Sequence, residues 1–514
     1  MATQFSYPGV YIEEIESSVR PITGVETSVT AFVGLALTGP KTPTAVESWA
    51  DFEELFGGLW AGSDMSYAVF QFFLNGGTEA VVVRVGGEVT FAGADLGDGV
   101  KLKAKVPGKA GEELTATVTH DPNAANDENA AKRYTLEITD GERVETYVVS
   151  IDPALPGRRL DAVLATSQLV EPDTKVFDAR PDAVAGEAFT GGTDVVLTTG
   201  DVLGNALAVP PTGIQALRDV DIFNLLVIPA QLPKTANPPD DRDDRDDKWA
   251  PVIDAAALLC EQRRAMLLLD PPFAWTTTAL AVSGARAGLP VGGVAGRNAA
   301  VFFPQINISD PLADKVRLVG PAGTVAGVIA RTDRRRGIWK APAGIDDGPL
   351  VGVRSLAFGL TDAQNGDLNK LGVNCLRTFP VHGRVLWGSR TCRGADAIGD
   401  PWKYIPVRRV ALHIEESLFV GTKWVVFEPN DEPLWASIRL NVGTFMDRLF
   451  RQGAFQGRTA KEAYFVRCDA TNNPQSDIDL GIVNIDVGFQ PLKPAEFVLI
   501  RIQQKRPDTT AQGS

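Results

Sequence analysis

The chain has 514 residues, with 64 acidic against 50 basic side chains and a net charge of -14. That length suggests about three domains of ordinary size, and the acidic balance argues against sequence-independent binding to nucleic acid, which needs a basic face. With 44% hydrophobic and 22% charged residues, the composition is globular rather than disordered.

No apolar run reaches the roughly 18 residues of a membrane-spanning helix. The opening MATQFSYPG lacks the basic and apolar regions of a signal peptide, so a soluble chain, assembled in the cytoplasm without membrane insertion, is expected. Cys260, Cys375, Cys392 and Cys468 stand far apart with no C-x-x-C pair, which predicts buried thiols rather than a zinc site or a disulfide framework.

In chain order, the first feature is a short extended stretch, Val10, Tyr11, Ile12 and Ile15, between Pro8 and Pro21. It is too short to make a core, so it reads as an arm that pairs with something else. Residues 29–35 (VTAFVGL) form the continuous apolar run of a buried parallel strand. Ser48 and Asp51 make a capping-type start, and in a following helix Met65, Ala68, Val69, Phe72 and Phe73 share one face. AVVVRV (80–85) is the next buried strand, and the same alternation resumes with FNLLVIP (223–229), a helix over 250–263, AMLLLDPP (265–272) and AAVFFP (299–304). Strands separated by helices predict an open α/β sheet.

Between these halves the period changes to two. VKLKAKV (100–106), LTATVTH (114–120) and RYTLEIT (133–139) alternate apolar and polar residues, so residues 88–190 read as an antiparallel β domain inserted into the α/β domain. PPDDRDDRDDK (238–248) carries six Asp against three basic residues and predicts a solvated loop. After Gly337 the pattern mixes strands near 373–379 and 385–391 with two helices. One places Val407, Val410, Ala411, Ile414 and Leu418 on a face, the other Leu434, Ile438, Val442, Phe445 and Leu449. The end reads as a hairpin of 481–489 with 496–504, in which Val483, Ile485 and Val487 share a face.

Catalytic machinery is hard to assemble from these residues. The three histidines, His120, His382 and His413, have no nucleophile elbow near them, since Ser283 in VSGAR lacks the G-x-S-x-G frame. Asp270 ends a buried strand but is followed by two prolines, which suit a terminator. GGVAGR (292–297) and GPAGTVAG (320–327) lack the surroundings of a nucleotide site. No enzyme activity, cofactor or metal is expected.

Several strings carry a resemblance. YPGVYIEEI (7–15), FTGGTD (189–194) with GIQALRDVDIFNLLVIP (213–229), VAGVIARTDRRRGIWKAPAG (325–344), GVNCLRTFPVHGRVLWGSRT (372–391), YIPVRRVALHIEESL (404–418) and the terminal block through Arg501 resemble, in order, the contractile tail sheath proteins of phages and phage tail-like injection systems. In the inserted stretch only KAKVPGKAGEELTATV (103–118) is similar to the family.

The resemblance implies a fold of α/β plus α+β type. Its parts are an N-terminal arm (1–22), an α/β middle domain of subtilisin-like, non-catalytic fold (23–87 and 191–344), the outward-facing insertion (88–190), an α+β sheath domain (345–494) and a C-terminal strand or arm (495–514). It implies a structural subunit that stacks as hexameric rings into a helical sheath around an inner tube, with baseplate and cap or terminator proteins as further partners. Contraction then drives the tube through a target envelope.

The arms, Val10, Tyr11, Ile12 and Ile15 at one end and Phe497, Val498, Leu499, Ile500 and Ile502 at the other, are expected to add strands to a neighbour's sheet, with Val483, Ile485 and Val487 on the receiving strand. Arg439, Arg448 and Arg451 lie on the polar side of the long helix and are candidate tube contacts, a solvated helix face being the alternative. A static self-assembling shell and an α/β hydrolase-like enzyme stay open as other readings.

Overall fold

The computed structural model describes residues 20–121, 128–229 and 242–499. The run VTAFVG yields strand β1 (Thr30–Gly34), buried at all positions, and a short β2 (Thr44–Val46) follows. The Ser48 side chain accepts the Asp51 N–H and opens α1 (Trp49–Phe56), which Gly57 ends at φ 82°. Ser63 caps α2 (Asp64–Leu74), so the segment holds two helices, and the buried β3 (Ala80–Arg84) comes next.

Seven short strands follow before the sheet resumes: β4 (Phe91–Asp95), β5 (Lys101–Pro107), β6 (Thr115–His120), β7 (Arg133–Thr139), β8 (Val144–Ser150), β9 (Val170–Pro172) and β10 (Val184–Ala188). Two one-turn helices, α3 (Glu128–Ala131) and α4 (Leu160–Leu164), lie among them. These strands form two antiparallel sheets of order β10-β6-β7-β8 and β4-β5-β9, closed over a core that includes Leu102, Val118, Leu136, Ile138 and Phe189. The chain leaves and returns side by side, because Thr90 and Thr193 form a bridge of two backbone hydrogen bonds at 3.4 Å.

After α5 (Thr199–Leu203) the chain adds β11 (Leu225–Val227), α6 (Arg242–Gln262), β12 (Met266–Leu269), α7 (Thr278–Ala287) and β13 (Ala299–Phe303). A small antiparallel sheet of β14 (Ile306–Asp310), β15 (Lys315–Val319) and β16 (Val353–Leu356) flanks α8 (Ala322–Arg336). Then α9 (Asp362–Lys370) leads to β17 (Asn374–Phe379) and β18 (Gly383–Leu386). The main sheet has the order β18-β17-β13-β12-β11-β1-β3-β2, parallel except for its two edge strands. Alternation divides its side chains. Phe32, Val227, Leu268 and Phe302 face α2 and α8, while Ala31, Val33, Leu267 and Val301 face α6 and α7. Each such large apolar side chain contributes roughly 1.5–3 kcal/mol of burial.

A fourth apolar cluster lies between α10 (Ile405–Gly421) and α11 (Glu432–Arg451), with Ile414, Ile438, Val442 and Phe445 inward as their spacing predicts. Two short helices, α12 (Ala460–Ala463) and α13 (Gln475–Asp479), accompany the last pair of strands, β19 (Tyr464–Arg467) and β20 (Asp486–Phe489).

Three expectations are corrected. The strands near 373–391 belong to the main sheet, because β17 pairs with β13, and a division at residue 345 therefore cuts through that sheet. The terminal hairpin is not formed among the described residues. Instead β20 pairs with β19, and 481–485 stays outside the ladder because Asn473 and Asn472 hold both the backbone and side chain of Asn484. The acidic run over 238–248 is not a loop throughout: from Arg242 it is helix, and Asp246 accepts the N–H groups of Phe273 and Ala274 at 2.9 and 3.0 Å.

Candidate interaction surfaces at the chain ends

Residues 20–27 enter the body along α10 and α11. The Arg20 N–H donates to Asn441 Oδ1 at 3.0 Å, and its guanidinium lies 4.9 Å from the centre of the Trp424 ring. Ile22 is buried between the helices, where Gly421 admits it: a Cβ at 421 would stand 2.6 Å from Ile22 Cγ2. Arg448 donates to the Ile22 carbonyl at 2.9 Å, and Ser417 accepts the Val25 N–H at 3.2 Å. Arg409 closes the row with one bond to the Thr27 carbonyl and two to Asp333, at 2.6 and 2.8 Å, and this ion pair is buried on both sides. Residues 20–27 thus seat an apolar plug, Ile22, locked by bonds to the surrounding backbone.

The opposite end is held differently. Gln490 donates to the Ala463 carbonyl, and Pro491 bridges to Phe455. From there through Leu499 no β pairing forms among the described residues, and Phe497, Val498 and Leu499 are 78%, 83% and 76% exposed. Glu496 turns inward to Arg390, whose side chain is fully buried, with Nε and Nη2 donating to its two carboxylate oxygens at 2.7 and 2.5 Å. The Tyr404 hydroxyl adds a bond at 3.2 Å. Burial alone lowers the pKa of Arg390, but Glu496 and Asp396 outweigh it and hold the guanidinium above its ordinary value. Nothing in the local sequence signals this pair, since its partners stand 106 residues apart.

Among the described residues β19 and β20 pair only with each other, so each leaves one edge without a ladder there. Val483, Ile485 and Val487 are half-buried against the α11 core, with Val487 in β20 and the other two just before it. Phe497, Val498 and Leu499 are not brought to that edge within this chain. Val10, Tyr11, Ile12, Ile15, Ile500 and Ile502 lie outside the described residues.

The three arginines of α11 separate. Arg439 donates to the Cys468 carbonyl and to Glu432, Arg448 serves the N-terminal root, and Arg451 reaches outward, 78% exposed, with Asp447 at 2.7 Å.

Of the other chemical candidates, Asp270 and His120 have structural partners. Asp270 accepts the Ala322 N–H at 2.8 Å, at the start of α8. His120 Nε2 is 2.8 Å from the Pro181 carbonyl, and His382 lies exposed in the turn before β18. All four thiols are buried, and burial pushes Cys375 and Cys392 up to about 12, away from nucleophilic form. No helix among the described residues is long and apolar enough to cross a membrane, and no cluster of metal-binding side chains occurs among them.

Residues 399–505 match the family model of the phage tail sheath C-terminal domain. The tail sheath protein of Vibrio phage KVP40 is 30% identical over 191 residues, 37% of this chain, and the chain spans only 27% of that relative's length. The tail sheath protein of Burkholderia phage BcepMu is 25% identical over 503 residues, 95% of this chain and 94% of that one. Among solved structures, the sheath complex of the extracellular contractile injection system PVC, in its contracted state, is similar with a TM-score of 0.58 at 21% identity, covering 98% of this chain and 99% of that one. A chain of the anti-feeding prophage baseplate gives 0.57 at 24%, covering 98% and 100%. These structures share the mixed α/β fold.

Proposed function

We propose that this chain belongs to the contractile tail sheath family and is the structural subunit of a contractile sheath within a phage tail or phage tail-like particle. Subunits stack as hexameric rings around an inner tube, between baseplate and cap proteins, and shorten to drive the tube through an envelope. The carrying observation is the pair of chain ends. Each is anchored at its root, the described part of the C-terminal end presents exposed apolar side chains that enter no ladder among the described residues, and β19 and β20 each keep an edge without a ladder among those residues. Strand addition suits such a surface, because main-chain hydrogen bonds supply strength and alternate side chains supply register. Five bonds per arm at about 0.5–1.5 kcal/mol each give a pair of arms roughly 5–15 kcal/mol.

In this reading the work is mechanical, with no catalysis and no cofactor. The middle α/β domain is the subtilisin-like scaffold, residues 88–190 form an inserted domain that projects outward, and α10, α11, β19 and β20 lie near the tube. Arg451, 78% exposed, is the foremost tube contact, with Arg439 and Arg448 behind it.

Electron microscopy of the chain expressed alone tests the proposal. Hollow helical tubes with sixfold rings are expected, and deletion of residues 500–514 is expected to abolish them while leaving a folded subunit. A chain that stays monomeric even with tube protein present overturns the reading, and a lattice that never shortens favours a static shell.

A further inference from the structure

We propose that Glu496 is the positioning residue of the C-terminal arm: its pair with buried Arg390 latches the chain to the body at one point and sets where residues 497 onward depart. This rests on the reading of that segment as a donated arm. Three observations carry it.

First, between Pro491 and Leu499 no backbone ladder holds the chain among the described residues, and a cavity of about 700 Å³ lined by Trp339, Lys340, Trp387 and Leu492 lies against the segment. Side-chain packing therefore clamps it little. Second, the socket is built without Glu496. Arg390 Nη1 donates to the Asn369 and Gly394 carbonyls at 2.8 and 3.1 Å and to Asp396 at 2.9 Å, while Lys403 holds Asp396 at 2.7 Å. These contacts leave Nε and Nη2 aimed at one carboxylate, the geometry in which a guanidinium discriminates most sharply. Third, the three residues after the latch are apolar and exposed, so fixing their root confines the volume they search and raises their effective concentration at a neighbouring edge.

Chymotryptic cleavage after Phe497 reads the latch directly, because the protease must take Glu496 into its own cleft and so must first empty the socket. The exposed Phe427, elsewhere on the surface, is the internal reference. On isolated full-length subunits, Glu496→Gln is expected to speed cleavage after Phe497 about tenfold, as when a charge-assisted pair becomes a neutral one. Cleavage at Phe427 and the melting temperature stay unchanged, and Glu496→Asp, which keeps the carboxylate, falls nearer the parent. Equal rates after Phe497 overturn the proposal. So does acceleration at both sites with a lowered melting temperature, which would assign Glu496 to the general fold. Failure of the parent chain to form tubes would sink the sheath reading instead, and the cleavage ratio would still decide the latch.

Discussion

His413 lies in α10 with its ring against Gly24 and 6.2 Å from the Phe445 ring centre; a Cβ at Gly24 would stand 3.2 Å from the imidazole. Its Nδ1 has no hydrogen-bond partner among the described residues. Burial, opposed by Asp333 and reinforced by Arg409 and Arg448, lowers its pKa from 6.5 to about 4. The ring is therefore neutral in the folded subunit, and below pH 6.5 the unfolded chain binds a proton that the folded chain rejects. Stability should rise with pH between about 4 and 6.5 and be complete above, with His413 accounting for at most about 3 kcal/mol of the change. Urea unfolding at half-unit pH steps is expected to show this slope in the parent chain and a flatter one in His413→Gln. Parallel slopes would mean that the imidazole titrates as in water. Because Gly24 packs on this ring, acid is expected to loosen the contact between residues 20–27 and α10.

The string VAGVIARTDRRRG has a physical reason at the scale of elements. Helix α8 crosses α2 so closely that a methyl at Gly323 would lie 2.5 Å from the Ala68 carbonyl oxygen, and one at Gly327 2.4 Å from that of Phe72. Gly327→Ala gains about 1 kcal/mol of helix propensity, yet a backbone oxygen cannot rotate away, and overpacking of this kind costs about 1–3 kcal/mol. A net loss of stability is expected in urea titration. In contrast Gly443→Ala in α11, where a Cβ meets no atom within 4 Å, should stabilise by about 0.5–1 kcal/mol. A gain at both positions would mean that α2 and α8 can part. The same contrast explains what was legible in the sequence. Buried parallel strands such as AVVVR and AAVFF declare themselves as apolar runs, and α10 and α11 by their period. In contrast β19 is four residues of no distinctive pattern, so its pairing with β20, rather than with the terminal segment, is a tertiary choice. Membership of β17 in the main sheet is equally non-local, and so is the socket formed by Arg390.

On the scale of the whole molecule, the strands between Thr90 and Thr193 close over a core of their own, and their two ends meet at a paired neck. The core of the β unit shares no residue with the cores on either side of the main sheet, and a cleft of about 1470 Å³ separates Val106, Pro107 and Arg143 from Trp60, Arg317 and Phe273. At the neck the hydroxyls of Thr90 and Thr193 are 2.7 Å apart, beside their paired backbones. Ends already paired in antiparallel register need only a tight turn to be joined, so replacing residues 91–192 by a two-residue Asn-Gly turn adds almost no loop-closure cost. The remainder keeps all eight strands of the main sheet, the α10 and α11 cluster and both chain ends. It is expected to fold with little change in cooperativity and, if the β unit projects outward as proposed, to form tubes of the same helical order but smaller outer diameter. Cryo-EM of the shortened chain measures both. Folded subunits that no longer assemble would place the β unit in the contacts between subunits and overturn its outward assignment, whereas an unfolded remainder would show that the cleft hides a dependence of one core on the other.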